Sequence, residues 1–130
     1  MKIHHIGYAV QDIKKASNIF LSLGFQASSE ECLDECRKVN ILFMKNEGTT
    51  IELVAPASPD SPVTKLLKRE GPTPYHICYE TADINATILE LKKRGFIQLH
   101  QNVEIAPAIP GGKVIFLTSL STGLVELLTF

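Results

Sequence analysis

The chain has 130 residues, of which 45% are hydrophobic and 21% charged, and its formal net charge at pH 7 is -1. These proportions are ordinary for a globular protein, and a nearly neutral chain has no long-range field to attract nucleic acid or an anionic membrane. No apolar run approaches the roughly 18 residues of a membrane span, and the start of the chain does not resemble a signal peptide. We therefore expect a cytoplasmic protein that binds neither nucleic acid nor a membrane.

The first half of the chain is predicted to form a strand, a helix and three further strands. The expected elements are a strand over residues 2–10, a helix over 13–23, a short strand over 25–27, a polar loop over 28–37, and strands over 39–44 and 49–54. Asp12 can cap the helix and Gly24 can end it, and Gly48 suits the hairpin turn. The residues expected to face inward are Ile3, His5 and Gly7 or their neighbours on the strand, and Ile13, Ala16, Ile19, Phe20 and Leu23 on the helix.

The second half repeats this order after a proline-rich linker. The expected elements are a linker over residues 56–62, a short helix over 62–68, a strand over 75–81, a helix over 84–93, a loop around 107–112, and strands over 113–118 and 123–129. Ser61 followed by Pro62 is typical of a helix start. Asp83 can cap the second long helix and Gly95 can end it, as Asp12 and Gly24 do in the first half.

An internal repeat underlies this similarity of the two halves. Without a gap, His5, Ile6, Tyr8, Asp12, Ile13, Gly24 and Phe25 recur 71 positions later as His76, Ile77, Tyr79, Asp83, Ile84, Gly95 and Phe96. We therefore predict an α+β fold of two βαβββ modules related by a pseudo-twofold. Modules of roughly 60 residues bury too little surface to stand alone, so residues 1–130 should form one domain. Its expected parts are module one (about 1–56), a linker with the short helix (57–71) and module two (about 72–130).

The three cysteines do not indicate a disulfide framework. Cys32, Cys36 and Cys78 are an odd number in a chain with no export signal. Cys32 and Cys36 lie four positions apart in a polar loop, with no second pair to complete a zinc site. We expect free thiols.

Each module places one glutamate inside an apolar strand and one histidine in its first strand. Glu52 lies within Ile-Glu-Leu-Val and Glu126 within Leu-Val-Glu-Leu-Leu. Burying an ionised carboxylate costs several kcal/mol unless a partner compensates it. Two modules packed about a pseudo-twofold would bring both His-Glu pairs together. Two imidazoles and two carboxylates suit a divalent ion such as zinc, cobalt, nickel, manganese or iron.

The chain resembles the vicinal-oxygen-chelate superfamily over nearly its whole length. This superfamily includes glyoxalase I, methylmalonyl-CoA epimerases, extradiol dioxygenases and bleomycin resistance proteins. The segments that most resemble the epimerases are His5-Ile6-Gly7-Tyr8-Ala9-Val10, Glu52-Leu53, Asp60-Ser61-Pro62-Val63, His76-Ile77-Cys78, Val114-Ile115-Phe116-Leu117 and Leu124-Val125-Glu126-Leu127. The resemblance implies one curved mixed-sheet cleft. It also implies one divalent ion (cobalt, nickel, zinc or manganese) held by His5, Glu52, His76 and Glu126.

The chain also departs from the epimerase pattern. His4 and Tyr75 stand where the epimerases have Asp and His, and Thr118-Ser119 stand where they continue with His-Pro. Where some epimerases carry an extra acid on the third strand, residues 39–44 offer only Asn40 as a polar side chain. We treat His4 and His100 as structural.

The resemblance implies an enzyme that moves a proton next to a metal-polarised carbonyl. Glu126 is the candidate base, and Glu52 is a ligand and a possible second proton carrier. The favoured function is a methylmalonyl-CoA epimerase-like isomerase, and a homodimer is implied. One alternative is a glyoxalase I-type lactoylglutathione lyase that acts on a thiol hemithioacetal. Another is a metal-free protein that binds a small molecule. An iron-dependent extradiol oxygenase is disfavoured, because Glu52 would add a fourth ligand to its iron. A basic helix face at Lys65, Lys68 and Arg69 is better explained by solvation than by a coenzyme A phosphate.

Overall fold

A computed structural model describes all 130 residues, Met1–Phe130. The residues group into two compact units, each holding one copy of the repeat. The N-terminal unit comprises His5–Tyr75, and the C-terminal unit comprises Met1–His4 together with His76–Phe130. None of the three helices is long and apolar enough to span a bilayer.

Ten strands and three helices follow one another in the order that the repeat predicts. The elements are β1 (Lys2–Ala9), α1 (Ile13–Ser22), β2 (Gln26–Ala27), β3 (Cys32–Asp34), β4 (Val39–Asn46), β5 (Thr49–Pro56), α2 (Pro62–Glu70), β6 (Thr73–Glu80), α3 (Ile84–Lys93), β7 (Ile97–Gln98), β8 (Glu104–Ile105), β9 (Lys113–Ser119) and β10 (Gly123–Thr129). Gly24 and Gly95 follow the ends of α1 and α3 with φ of 93° and 96°, a conformation that favours glycine.

The strands of the two units pair in the same way. In the N-terminal unit the order is β2-β4-β5-β1, with β1 parallel to β5, and β4 and β5 forming an antiparallel hairpin. In the C-terminal unit the order is β7-β9-β10-β6, with β6 parallel to β10, and β9 and β10 forming the hairpin. The predicted α+β class and the βαβββ order of each copy are therefore confirmed.

One face of each sheet is covered by the long helix of its own unit. Below α1, the buried side chains of Ile13, Leu42, Met44, Ile51 and Leu53 share a core cluster. Below α3, the corresponding cluster contains Ile84, Ile88, Ile115, Leu117 and Leu127. Because strand residues alternate between faces, the intervening positions of the hairpin strands lie on the opposite face, and these positions include both glutamates.

Three short strands were not predicted: β3 lies within the predicted loop over 28–37, and β7 and β8 lie between the predicted helix over 84–93 and the predicted loop around 107–112. β3 pairs with β4, and β8 pairs with β9, while β7 adds to the other end of β9. Each has only two or three residues, which is too short for an alternating pattern to show in the sequence. Their backbone pairing to long neighbouring strands, rather than their own composition, defines them.

Three residues predicted to face inward are exposed instead. Ile19 is 64% exposed, Leu23 is 61% exposed and Ile3 is 61% exposed. On α1 only Ile13 is buried, while Ala16 and Phe20 pack against the core from its edge. The buried face of α1 is therefore narrower than the distribution of its apolar residues predicts. Leu23 lies at the C-cap of the helix, and the side chain of Ile19 faces solvent.

The helix caps give a direct test of how the sequence stabilises these elements. The Asp12 carboxylate accepts a hydrogen bond from the Lys15 backbone N–H, and Asp83 accepts one from Ala86 N–H. We expect Asp12→Ala and Asp83→Ala each to lower the free energy of unfolding by about 1 kcal/mol, measured by urea titration. Ser61→Ala is the control, because Ser61 caps α2 without a side-chain bond and its buried hydroxyl has no partner. A loss at Ser61 as large as at the aspartates would contradict this account.

Candidate metal centre

In the N-terminal unit, His5 and Glu52 lie side by side on the sheet face that α1 leaves uncovered. His5 is on β1 and Glu52 on β5, where Gly7 is the strand partner of Glu52. Because His5 is two residues from Gly7, its side chain points to the same face as that of Glu52. His5 Nε2 is 3.5 Å from Glu52 Oε1, and the two side chains are 0% and 7% exposed.

The C-terminal unit repeats this arrangement with His76 on β6 and Glu126 on β10. Cys78 is the strand partner of Glu126, and His76 precedes it by two residues. His76 Nε2 is 3.6 Å from Glu126 Oε1, and the side chains are 0% and 6% exposed. Each unit thus brings together its own predicted histidine and glutamate, with nearly the same separation.

A phenylalanine stands beside each pair, and the sequence analysis did not identify it. Phe43 is opposite Glu52 in the β4–β5 hairpin, and Phe116 is opposite Glu126 in the β9–β10 hairpin. Their rings meet His5 and His76 edge-on, at centroid distances of 5.2 Å in both cases. These contacts restrict the rotation of each imidazole. The pattern was present in the sequence, because Phe43 and Phe116 occupy equivalent strands of the repeat.

Asn40 does not occupy the place of an extra acid. It is the partner of Ala55, and strand alternation puts it on the α1 face with Leu42 and Met44. The β4 residue on the Glu52 face at this end is Val39, which is buried. Strand β4 therefore offers no second carboxylate beside Glu52.

The donor atoms of each pair fit two ligands of one divalent ion. A separation of 3.5 or 3.6 Å is longer than that of a typical N–H···O hydrogen bond. It matches the spacing of about 3 to 3.5 Å between neighbouring ligands whose bonds to the ion are near 2.1 Å. A cation would also offset the cost of burying the two carboxylates. Nitrogen and oxygen donors suit zinc, cobalt, nickel or manganese.

The other residues named from the sequence fall outside these pairs. Thr118 is the partner of Leu124, which puts it on the Glu126 face, whereas the Ser119 hydroxyl bonds Thr122 in the adjoining turn. Lys65, Lys68 and Arg69 are exposed on α2, as expected for a solvated helix face. None of Cys32, Cys36 and Cys78 forms a disulfide, as the odd number of cysteines predicts.

One carboxylate near the start of α2 has a shifted pKa. The hydrogen bond from Lys38 and, next, that from Ser58 lower the pKa of Asp60 from 3.8 to about 2. The Asp60 side chain is 67% exposed, so these bonds order the linker without excluding water from it. The negative charge of Asp60 is therefore retained until the pH falls below its usual range.

The sequence and the fold of this chain are similar to those of known proteins. Residues 4–116 match the family described as Glyoxalase/Bleomycin resistance protein/Dioxygenase superfamily. Human mitochondrial methylmalonyl-CoA epimerase is 35% identical, over 97% of this chain and 72% of its own length. A Streptomyces coelicolor methylmalonyl-CoA epimerase variant, in complex with 2-nitronate-propionyl-CoA, is 25% identical with a TM-score of 0.86 over 99% of this chain and 96% of that one. A methylmalonyl-CoA epimerase in complex with methylmalonyl-CoA and NH4+ gives a TM-score of 0.85 at 25% identity, over 98% and 93% of the two chains.

Proposed function

The chain belongs to the glyoxalase/bleomycin resistance protein/dioxygenase superfamily, and we propose that it is a metal-dependent isomerase that moves the proton α to a thioester carbonyl. The observation that carries this proposal is the repetition of a buried His-Glu pair in equivalent strands of both units. The similarity to methylmalonyl-CoA epimerases over 97% of the chain supports the reaction class. The structures of such epimerases with acyl-CoA ligands support an acyl-CoA substrate.

In this proposal His5, Glu52, His76 and Glu126 hold one divalent ion. Each unit supplies one imidazole and one carboxylate, so neither unit alone offers more than two ligands. The bound ion would polarise the substrate carbonyl and so make its α-proton more acidic. Cobalt, nickel, zinc and manganese all accept this donor set.

The chain's own residues then carry the proton. Glu126 is the proposed base, because a carboxylate in an apolar strand next to an imidazole can exchange a proton while shielded from bulk water. Glu52 acts as a ligand and as the second proton carrier. Epimerisation removes a proton from one side of the α-carbon and returns it to the other, so carboxylates from two separate strands suit it.

The arginines favour an acyl-CoA over a glutathione hemithioacetal. Glutathione carries two carboxylates, which arginine typically binds in a bidentate manner. All three arginines of the chain already lie beside acidic side chains: Arg37 bonds Asp34 at 2.7 Å, Arg69 bonds Glu70 at 3.0 Å and Arg94 is 3.8 Å from Glu90. The lyase remains the second candidate, since the resemblance to the superfamily includes glyoxalase I.

The first test of this proposal is metal binding. We expect protein purified without a polyhistidine tag to bind about one divalent ion per chain, as measured by elemental analysis. His5→Ala and His76→Ala should each weaken binding at least tenfold in competition with a chelator, because each removes one ligand. His4→Ala is the matched control, since it removes the neighbouring histidine of the same strand. A larger loss in His4→Ala than in His5→Ala would contradict the proposed ligand set.

The second test is deuterium exchange at the substrate α-carbon. We expect the metal-loaded protein to incorporate solvent deuterium into methylmalonyl-CoA, and Glu126→Gln to slow this exchange by at least a hundredfold, since the amide is nearly isosteric but cannot accept the proton. Glu80→Gln is the control: Glu80 lies on β6 and pairs with Lys2 at 3.4 Å. No exchange in the unmodified protein, together with lactoyl thioester formation from methylglyoxal and glutathione, would favour the lyase.

A further inference from the structure

The ring of His100 lies beside that of Phe116, which is on the same sheet face as His76 and Glu126. Phe116 is the strand partner of Glu126, so its ring is on this face. The Phe116 ring meets His76 at a centroid distance of 5.2 Å and His100 at 5.9 Å. The Leu99 N–H donates to the Phe116 carbonyl at 2.9 Å, which fixes the backbone just before His100. The Phe116 ring therefore contacts both the imidazole of the proposed metal centre and a second imidazole outside it.

His100 is accessible to a ligand, and it has a carboxylate beside it. Its Nδ1 is 3.9 Å from Glu104 Oε1, and the side chains of His100 and Glu104 are 32% and 43% exposed. Those of His76 and Glu126 are 0% and 6% exposed. The two residues thus present an N–H donor and a carboxylate acceptor next to each other, at a partly open place beside Phe116.

The first copy of the repeat has no counterpart of this pair. Ser28 N–H donates to the Phe43 carbonyl at 2.9 Å, which is the same backbone bond that Leu99 makes to Phe116. The following residue is Ser29, whose hydroxyl accepts a hydrogen bond from Phe43 N–H at 3.0 Å. Phe43 is buried, whereas Phe116 is partly exposed. His100 is therefore not required by the common scaffold, and its position in one copy only indicates a role specific to that copy.

We propose that His100 and Glu104 bind the first amide group of the pantetheine arm of an acyl thioester. This inference depends on the proposed function, because the proposed function places the thioester next to His76 and Glu126. A secondary amide has one acceptor and one donor: the His100 N–H meets its carbonyl, and the Glu104 carboxylate meets its N–H. The Phe116 ring contacts the sulfur and methylene groups that separate the amide from the acyl group. A phosphate or carboxylate fits less well, because Glu104 would repel it. His100 is thus a specificity-determining residue.

The test is a binding titration with two probes, propionyl-CoA and S-propionyl-pantetheine. The pantetheine probe keeps the arm and lacks the nucleotide. We expect His100→Ser, which introduces the residue that the first copy carries at this position, to weaken both probes about tenfold, as expected for one lost hydrogen bond. His100→Gln should recover part of this loss through its amide N–H. Glu104→Gln, which keeps an acceptor oxygen, should lose less than His100→Ser.

Several outcomes would overturn the inference. One is that His100→Ser binds both probes with unchanged affinity. Another is that His100→Ser loses affinity for propionyl-CoA alone, which would mean that His100 contacts the nucleotide phosphates. If His100→Ser weakens the binding of both probes equally, the affinities of the unmodified protein show where the pantetheine arm comes from. Equal affinity for the two probes indicates an arm that a carrier protein can also present. Tighter binding of propionyl-CoA indicates coenzyme A. The titration requires no turnover, so absence of α-carbon exchange would contradict the proposed reaction without affecting this result. Urea unfolding of His100→Ser at an unchanged midpoint confirms that the variant is folded.

Discussion

The burial of one carboxylate beside one imidazole is the constraint that both units share. Glu52 and Glu126 are less than a tenth exposed, and the residues on either side of each in its strand are apolar. Each acid is 3.5 or 3.6 Å from a fully buried histidine, a separation that fits two ligands of one ion better than a hydrogen bond. Such an arrangement is costly without a compensating charge, and hydrophobic residues of the same size would give a more stable sheet. A divalent ion held by both pairs, as we propose, would be a physical reason for keeping this costly arrangement in both copies.

The two copies are alike where they hold the proposed ion and different where a substrate would be recognised. Strand order, helix caps, histidine, glutamate and phenylalanine recur in both units. The differences lie next to the phenylalanines: Phe43 is buried beside Ser29, whereas Phe116 is partly exposed beside His100. A duplicated scaffold can therefore supply a symmetric set of ligands, while changes in one copy provide an asymmetric site for an asymmetric substrate.

The sequence predicted the long elements and the His-Glu pairs because both recur at a fixed spacing. It predicted less where tertiary packing decides. β3, β7 and β8 form because longer strands offer them a backbone edge, and Ile19 is apolar yet lies outside the buried stripe of α1. Asn40 seemed to replace an acid until the strand register placed it on the α1 face. His100 was predicted to be structural because Phe116, whose ring it contacts, is distant in sequence, and only the folded chain brings the two rings together.

The central claim is that the two His-Glu pairs act as one metal centre, and X-ray absorption spectroscopy of the zinc-loaded protein tests it most directly. The account predicts two imidazole groups and carboxylate oxygens at about 2.0 to 2.2 Å from the ion, with no sulfur neighbour. A sulfur neighbour at about 2.3 Å would instead make Cys78 a ligand, since it is the buried cysteine next to His76. That result, or a spectrum with a single imidazole, would contradict the claim.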